Sequence, residues 1–318
     1  MLINLVKRCQ SLPPNATLLV LGGGYTGQHV AALTRALGNP ALCTRRNQDQ
    51  PGADLIFDSS ANLLPAPQLL KDVSHVLSCI PPDQNGQDPV LTSLGPQLRT
   101  LPLQWVGYLS TTGVYGDRNG EWVKETDPPQ PKVERSKRRL QCEQAWLASE
   151  LPVQILRLPG IYGPGRSALD VVKSGKCRMI HKPEQVFSRV HIDDIAGAVL
   201  HLIHLAAKGQ QPAVVNVADD LPSPSTEQLR FAAELIGAEL PAEESFDTAA
   251  AAMSAMSLSF WQENRRVSNQ LLCRTLGYQL MHANYSAGLR DIVNLWALKG
   301  SITTSASELP RLGQGRRG

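Results

Sequence analysis

The pattern of hydrophobic and polar positions predicts an alternation of buried strands and longer helices from residue 17 onward. Short, nearly continuous apolar runs are typical of strands in a parallel sheet that is covered on both faces. The longer segments between them have apolar positions three and four residues apart, which predicts helices. The fold class is therefore α/β, with a doubly wound parallel sheet of about seven strands. Seven runs have the strand pattern: "TLLVLGGG", "PALCTRR", "ADLIFD", "VSHVLSCIPP", "LQWVGYLSTT", "VQILRLPG" and "AVVNVADD".

A glycine-rich turn follows the first predicted strand and opens the first predicted helix. In "VLGGGYTGQHV", Gly22, Gly24 and Gly27 form a G-x-G-x-x-G pattern, with Tyr25 and Thr26 inside it. Glycines let the backbone turn sharply and approach a pyrophosphate, whose charge then lies at the positive end of the helix. A turn without a ligand is the alternative. The position within the first βαβ unit favours a Rossmann fold that binds a dinucleotide through these five residues.

The end of the second strand indicates which dinucleotide binds. NAD sites usually have a carboxylate there, which binds the ribose 2′-hydroxyl. This strand ends instead in Thr44, Arg45 and Arg46. An arginine suits a 2′-phosphate, because its planar guanidinium binds two phosphate oxygens at once. We therefore predict that Arg45 and Arg46 bind NADP and that NAD is disfavoured, with a surface pair of arginines as the alternative.

The rhythm of strands and helices loosens beyond Tyr162. We expect a dinucleotide-binding Rossmann domain over residues 1–160 and mainly a smaller C-terminal substrate lobe over 161–300. In the lobe, "DDIAGAVLHLIHLA" and "STEQLRFAAELIG" predict amphipathic helices. One strand, near 213–217, should return to the sheet. The tail over 301–318 has no apolar periodicity and is expected to be disordered.

Four motifs in a fixed order resemble those of the short-chain dehydrogenase/reductase superfamily, in its extended and atypical branches of NAD-dependent epimerases and dehydratases. The motifs are "VLGGGYTGQHV", "LSTTGVYGD", "RLPGIYGPGR" and "VHIDDIAGAV", and the resemblance covers about residues 17–295. It implies that Thr111, four residues before the tyrosine of V-Y-G, hydrogen-bonds the substrate oxygen. A strand-end cap or a cofactor contact is the alternative for Thr111. The resemblance also implies cofactor contacts for Ser110 and for Asp58, the latter with adenine.

The tyrosine and lysine that serve this superfamily as acid and base have no counterpart here. The lysine lowers the pKa of the phenol, which can then exchange a proton as hydride moves. At the two positions counted from V-Y-G this chain has Ser136 and Leu140, and none of its six tyrosines is followed four residues later by lysine. Tyr115 and Tyr162 are the candidate substitutes, since their loops should face the cofactor.

The spacing around the second of these tyrosines leaves two interpretations open. Arg166 follows Tyr162 at the interval that the lysine would occupy, and its charge could act on a nearby phenol. The alternative for "GIYGPGR" is a tight turn shaped by its glycines and proline.

The segment "PKVERSKRR" gives the helix that follows V-Y-G a strong positive charge. Glu134 and Arg138 are four residues apart, as are Arg139 and Glu143, which suits ion pairs on a helix surface. A solvated helix face is the first interpretation. A contact with substrate phosphate or with a partner protein is the other.

The motif "VHIDDIAGAV" contains residue types that can bind metals. His191, Asp193 and Asp194 lie together in it, and His201 and His204 share one face of the helix that follows. The motif matches a structural segment of the superfamily, so no metal is expected.

Composition and charge narrow the remaining classes. The chain has 318 residues, 42% of them hydrophobic, and its net charge of +3 does not argue for nucleic acid or an anionic membrane. The six scattered cysteines form no CxxC pair, and no apolar stretch approaches the ~20 residues that cross a bilayer. We expect a cytoplasmic protein, monomeric or homodimeric, that binds neither nucleic acid nor membrane.

These observations predict an NADP-binding, atypical short-chain dehydrogenase/reductase-like protein that is an oxidoreductase or epimerase for a small molecule. Nucleotide-sugar members commonly have an arginine four residues before the histidine of the fourth motif. This chain has Phe187 there, with Arg189 nearby, which puts a nucleotide-sugar substrate in doubt. The alternative is a non-catalytic NADP-binding sensor or assembly factor that keeps the fold.

Overall fold

The structure is a computed structural model that describes residues 2–306. Its strands alternate with helices over the first half of the chain, as the apolar runs predict. In chain order the strands are β1 (Leu18–Leu21), β2 (Ala41–Arg45), β3 (Leu55–Ile56), β4 (His75–Ser78), β5 (Trp105–Thr111), β6 (Trp122–Val123), β7 (Val153–Leu158), β8 (Gly160–Tyr162), β9 (Met179–His181), β10 (Arg189–His191), β11 (Val214–Asn216), β12 (Glu243–Ser245) and β13 (Arg266–Val267).

The helices connect these strands and form most of the second half. A short 3₁₀ turn (Thr112–Tyr115) follows β5, and a π-helical turn (Leu271–Thr275) follows β13. In chain order the α-helices are α1 (Leu2–Val6), α2 (Tyr25–Ala36), α3 (Pro67–Leu70), α4 (Pro89–Leu98), α5 (Glu134–Leu147), α6 (Ala168–Lys173), α7 (Ile192–Ala206), α8 (Ser225–Ile236), α9 (Phe246–Ala250), α10 (Ala255–Trp261) and α11 (Tyr285–Ala306).

The central sheet has seven parallel strands in the order β3-β2-β1-β4-β5-β7-β11. Leu18 of β1 pairs with Ala41 of β2 on one side and with His75 of β4 on the other. All seven predicted strands are therefore confirmed, and so is the doubly wound α/β class. The strand order reverses between β1 and β4, and ligands of such sheets bind in the crevice beyond the carboxyl ends of the strands at this point.

Alternation along β1 shows how the sheet is covered on both faces. Leu18 and Val20 pack in a core cluster with α2 and α7, whereas Leu19 and Leu21 pack in a second cluster with α4 and α5. Side chains of successive strand residues point to opposite faces, so this strand must be apolar at every position.

The C-terminal half divides between the sheet and a separate core. Leu169, Ala232 and Leu289 belong to a third cluster, which joins α6, α8 and α11. The predicted return of a strand to the sheet is β11. The helix α7 was expected in the lobe, but its apolar face packs on the sheet beside α2, which corrects that expectation.

The end of the chain differs from its sequence-based expectation over a few residues. The last helix ends at Ala306, so it includes the first six residues of the stretch 301–318 that is expected to be disordered. The rest of that predicted tail, 307–318, lies outside the described residues. Over the part of the chain that the structure describes, no helix combines the length and the apolar character needed to span a membrane.

Candidate functional site

The turn between β1 and α2 requires glycine for two reasons that the structure makes visible. Gly22 has a φ of +95°, which side chains with a Cβ rarely adopt. A Cβ on Gly27 would lie 2.4 Å from the Gly22 carbonyl oxygen, so only glycine allows α2 to begin this close to the turn. The turn is also fixed to β2, because the N–H of Gly23 donates to the Thr44 carbonyl oxygen at 2.7 Å.

Gly24 differs from its neighbours, because a Cβ there would meet nothing within 4 Å. It is the N-cap of α2, and no side chain caps the helix at this point. The first backbone N–H groups of a helix lack partners within the helix and carry its positive dipole end. Open space next to such an end is the geometry that a pyrophosphate needs.

The end of β2 brings a positive charge to this turn. A Cβ on Gly23 would lie 3.1 Å from Cδ of Arg45, and the buried Nε of Arg45 has no hydrogen-bond partner among the described residues. Arg46 is exposed beside it. Asp58 lies two residues beyond β3; hydrogen bonds from Ser60 and the charge of Arg46 lower the pKa of its carboxyl. Arg45, Arg46 and Asp58 thus lie on neighbouring strand ends.

The other two residues of the glycine motif have different environments. The hydroxyl of Tyr25 donates to the Pro164 carbonyl oxygen at 3.2 Å, and burial raises its pKa to about 12. The guanidinium of Arg166 lies 5.8 Å from the ring centroid of Tyr25. Thr26 is buried in the first turn of α2. Tyr25 therefore links the glycine turn to the "GIYGPGR" loop.

A cleft of about 800 Å³ opens beyond the carboxyl ends of β5 and β7, and Ser110, Thr111 and Ser136 line it. The Oγ of Ser110 is buried and has no partner among the described residues. The Oγ1 of Thr111 accepts the Gly113 N–H at 3.1 Å, so this residue does cap the turn after β5. The same hydroxyl still has a proton to donate into the cleft.

Ser136 lies beside Thr111, at the position that a tyrosine occupies in the superfamily. A Cβ on Gly113 would be 2.7 Å from Ser136 Oγ and 3.3 Å from Thr111 Oγ1, so both oxygens flank the same glycine. Ser136 is 2% exposed and comes from the first turn of α5. Counting from V-Y-G identified this position, but the sequence alone gave no reason to assign the serine a role.

Arg139 places a positive charge on the floor of the cleft. Its Nη1 donates to the Tyr108 hydroxyl and to the Leu109 carbonyl oxygen, both at 2.9 Å, and to the Ile80 carbonyl oxygen at 3.5 Å. These acceptors are neutral. Among the described residues, no salt bridge joins Arg139 to a carboxylate at the carboxyl ends of β4 and β5.

The helix ion pairs expected from spacing are not the ones that form. Glu143 pairs with the buried Arg157 of β7 at 2.7 Å, and Glu134 pairs with Lys137 at 2.6 Å. A buried arginine needs a carboxylate more than an exposed one does, because desolvation of an unpaired charge is costly. This competition leaves Arg138 and Arg139 without their expected partners.

The two substitute tyrosines do not reach the cleft, which corrects the expectation that their loops aim them at the cofactor. Tyr115 is fully buried, and its hydroxyl donates to Asn216 Oδ1 at 2.8 Å. The Tyr162 hydroxyl donates to the Asn284 carbonyl oxygen at 3.2 Å. Burial raises the pKa of both phenols. Each tyrosine therefore acts as a buried connection between distant segments.

The histidines and aspartates of the fourth motif form a buried cluster at the start of α7. Asp193 Oδ1 lies 2.6 Å from His29 Nε2 of α2, and Asp194 accepts the backbone N–H groups of Met281 and His282 at 2.6 and 3.0 Å. Desolvation opposes protonation of His282, but Asp194 and its acidic neighbours raise the pKa of that imidazole overall. The cluster ties α7 to α2 and to the segment before α11.

His201 and His204 lie farther along α7 and are not part of that cluster. The Nε2 of His201 is 2.7 Å from the Leu276 carbonyl oxygen, which the ring N–H can donate to. Side-chain atoms of His191, Asp194 and His282 do approach within 4.8 Å of one another. The Asp194 oxygens are already acceptors for backbone N–H groups, which is typical of a structural role.

Comparison with known proteins finds relatives among solved structures, whereas no protein-family model and no curated protein matches the chain. A functionally unknown conserved protein from Silicibacter pomeroyi DSS is 40% identical, with 88% of this chain and 99% of that chain covered and a TM-score of 0.79. A "putative NAD-dependent epimerase/dehydratase" from Methylobacillus flagellatus is 26% identical, with 89% and 99% covered and a TM-score of 0.67.

Human epimerase family protein SDR39U1 (isoform 2), solved with NADPH, is 18% identical over 87% of this chain and 99% of that chain, with a TM-score of 0.68. This likeness shows the fold. Together with the four motifs, these relatives define the class as an α/β protein of the epimerase/dehydratase type. The chain belongs to one family with the Silicibacter pomeroyi protein, and its fold is the epimerase-like fold of the atypical short-chain dehydrogenase/reductase branch.

Proposed function

We propose that the chain is an NADP-dependent oxidoreductase or epimerase that acts on a small molecule in the cleft lined by Thr111, Ser136 and Arg139. The observation that carries this proposal is the position of two features on either side of the point where the strand order reverses. The open glycine turn at Gly24 stands at one side of the strand-order reversal, and the hydroxyl-lined cleft stands at the other. A dinucleotide that lies across the reversal contacts both.

The residues at the turn fit a phosphorylated dinucleotide. Gly24 leaves room for the pyrophosphate at the N-terminus of α2, and Arg45 has a buried, unpartnered Nε beside the turn. Arg46 and Asp58 lie on the same side, where the adenosine end would bind. NADPH in the structure of human SDR39U1 and the NAD dependence in the name of the Methylobacillus flagellatus protein support a nicotinamide cofactor.

Bound NADP supplies or accepts a hydride. In the cleft, the hydroxyl of Thr111 donates a hydrogen bond to the substrate oxygen, while its Oγ1 remains anchored by the Gly113 N–H. The hydroxyl of Ser136, next to it, relays a proton between that oxygen and solvent. Arg139 stabilises the negative charge that develops on the oxygen as hydride reaches the carbon. Reduction of a carbonyl then adds one hydride to carbon and one proton to oxygen.

One observation favours the second candidate, a non-catalytic NADP-binding protein. No tyrosine is among the described residues that line the cleft, and serine and threonine hydroxyls are much weaker acids than a phenol beside a lysine. A search for a carbonyl compound that oxidises NADPH separates the two candidates. The oxidoreductase consumes NADPH with at least one substrate, and the binding protein with none.

Calorimetric titration with NADPH and NADH tests the cofactor assignment. We expect NADPH to bind at least ~10-fold more tightly, a difference of ~1.4 kcal/mol. Arg45→Ala should remove most of this difference, whereas Arg99→Ala, an exposed arginine at the end of α4, should not change it. Equal affinities in the wild type would overturn the NADP assignment, and failure to bind either nucleotide would overturn the proposed function.

A further inference from the structure

The cleft is more basic than its hydroxyl chemistry requires. Its lining includes two carboxylates, Asp83 and Glu263, and six arginines: Arg135, Arg138, Arg139, Arg166, Arg189 and Arg265. Cations gathered in a partly enclosed cleft repel one another, which costs stability unless an anion occupies the cleft.

Three of the six arginines are held by contacts outside α5, and one of these, Arg166, has its guanidinium 5.8 Å from the ring centroid of Tyr25. Arg265 Nη1 lies 2.8 Å from Glu263 Oε2 in a salt bridge. Arg189 donates from Nη1 to the Phe187 carbonyl oxygen and to Ser223 at 2.8–3.1 Å. These contacts hold the guanidinium groups of Arg265 and Arg189 in place. Arg265 has a carboxylate partner, whereas Arg189, like Arg139, donates only to neutral oxygens.

The arginines of α5 are different. No hydrogen bond or salt bridge joins the half-buried guanidinium of Arg138 to another described residue, and Arg139 bonds only to neutral oxygens. The guanidinium carbon of the exposed Arg135 lies 3.7 Å from the ring centroid of Phe260. Three positive charges within five residues of one helix therefore line the cleft, and none of them has a salt bridge to a carboxylate among the described residues. The charges of Glu263, Glu134 and Asp88 act on Arg135, Arg138 and Arg139 only from a distance.

The phosphates of the cofactor do not account for these charges. The glycine turn follows β1 and the 2′-phosphate position is at the end of β2, whereas α5 packs against β5 and the 3₁₀ turn. In the sheet, β4 separates β1 from β5, which puts about 10 Å between the two groups of residues. The α5 arginines thus lie on the substrate side of the cleft.

An aromatic surface lies next to these arginines. Phe260 and Trp261 end the short helix α10, which has no buried residue, and Phe260 is 55% exposed although it lines the cleft. Trp261 packs edge-on against Phe187 at 5.2 Å between ring centroids. Flat rings next to guanidinium groups suit a ligand with an anionic end and a flat, apolar body.

We propose that the substrate is a small oxyanion, a carboxylate or a phosphate monoester, whose charged group binds Arg138 and Arg135 and whose flat, apolar part packs on Phe260 and Trp261. This inference rests on the proposed function, because it assigns the substrate of the same cleft. It resolves the two interpretations of "PKVERSKRR" in part, since Lys137 faces solvent with Glu134 while Arg138 faces the cleft.

The test is calorimetry on the full chain with three probes, benzoate, phenyl phosphate and neutral benzyl alcohol, both with and without saturating NADPH. At least one of the two anions should bind about tenfold more tightly than benzyl alcohol, and the tighter one identifies the charged group. Arg138→Gln should weaken its binding about tenfold and leave NADPH affinity within about twofold. Arg135→Gln, at an exposed position that tolerates substitution, should act in the same direction.

Lys137→Gln is the matched control, because it removes one positive charge from the same helix outside the cleft. It should leave all three probes unaffected. The inference is wrong if benzyl alcohol binds as tightly as both anions, or if Arg138→Gln and Lys137→Gln have equal effects. If NADPH fails to bind while the anions still depend on Arg138, the proposed function fails and the anion site stands.

Discussion

Replacement of Gly24 by valine tests whether this glycine is needed for ligand binding or for the fold. Gly24 has φ −74° and ψ −163°, an extended conformation that valine adopts readily. Its Cβ would meet nothing within 4 Å, so the branching carbon of valine makes no clash in the free protein. The loss of glycine also reduces the entropy of the unfolded chain. We expect the free energy of unfolding to stay within about 1 kcal/mol of the wild-type value.

The cost should appear in dinucleotide binding. The valine carbons occupy the space next to the N-terminus of α2 that the pyrophosphate needs, and they separate the phosphate from the helix N–H groups. A hydrogen bond to a charged group contributes about 1.5–3 kcal/mol. Loss of two such bonds would weaken NADPH binding by about 3–6 kcal/mol, at least ~100-fold.

Calorimetry measures the NADPH affinity, and urea unfolding of the same preparations measures the free energy of unfolding. Gly27→Ala is the contrasting variant, because its Cβ would lie 2.4 Å from the Gly22 carbonyl oxygen. That variant should lose stability as well as binding. A folded Gly24→Val protein with wild-type NADPH affinity would refute the assignment of this turn to the pyrophosphate.

Three further predictions concern other positions. Thr111→Val should lower the kcat for an identified substrate more than it raises KM, because it removes a hydrogen bond made chiefly in the transition state. The affinity for NADPH should be nearly unchanged. Steady-state kinetics and calorimetry measure these quantities, and an unchanged kcat would exclude the catalytic role of Thr111. Tyr115→Phe and Tyr162→Phe should each cost about 1 kcal/mol of unfolding free energy, through one lost buried hydrogen bond, without a change in kcat. A large loss of kcat in a variant that remains stable would show that the tyrosine has a catalytic role. Burial lowers the pKa of His75 to about 4, so the unfolded chain takes up its proton first as pH falls below about 6.5. Between pH 7.5 and pH 5, His75 should therefore lower the unfolding free energy of the wild type by about 2 kcal/mol. Urea unfolding of His75→Gln should not show this loss. Unfolding free energies that fall equally with pH in both proteins would contradict the prediction.

The sheet was predictable because the signals for it are local. The seven strands are marked by apolar runs, and the glycine turn by residues within one short segment. Leu18 to Leu21 are apolar at every position because both faces of the strand are buried. An unbroken apolar run of this length is visible in the sequence alone. The placement of α7 was missed because its apolar face fits the sheet and the lobe equally well when only the sequence is considered.

The site was less predictable because its side chains are placed by partners far away in sequence. Tyr115 turns toward Asn216, which comes 101 residues later, and no nearby residue indicates that direction. Glu143 is four residues from Arg139, yet it pairs with the buried Arg157. That choice frees Arg139 for the cleft, and spacing rules cannot foresee it, because they ignore which arginine is buried.

The central claim is that NADP lies across the strand-order reversal with its nicotinamide in the hydroxyl-lined cleft. A crystal structure of the full chain grown with NADP tests this most directly. We predict the pyrophosphate at Gly24, the 2′-phosphate on Arg45, and the nicotinamide ring next to Thr111 and Ser136. Nicotinamide bound away from these two hydroxyls, or a glycine turn with no phosphate in contact with it, would contradict the claim.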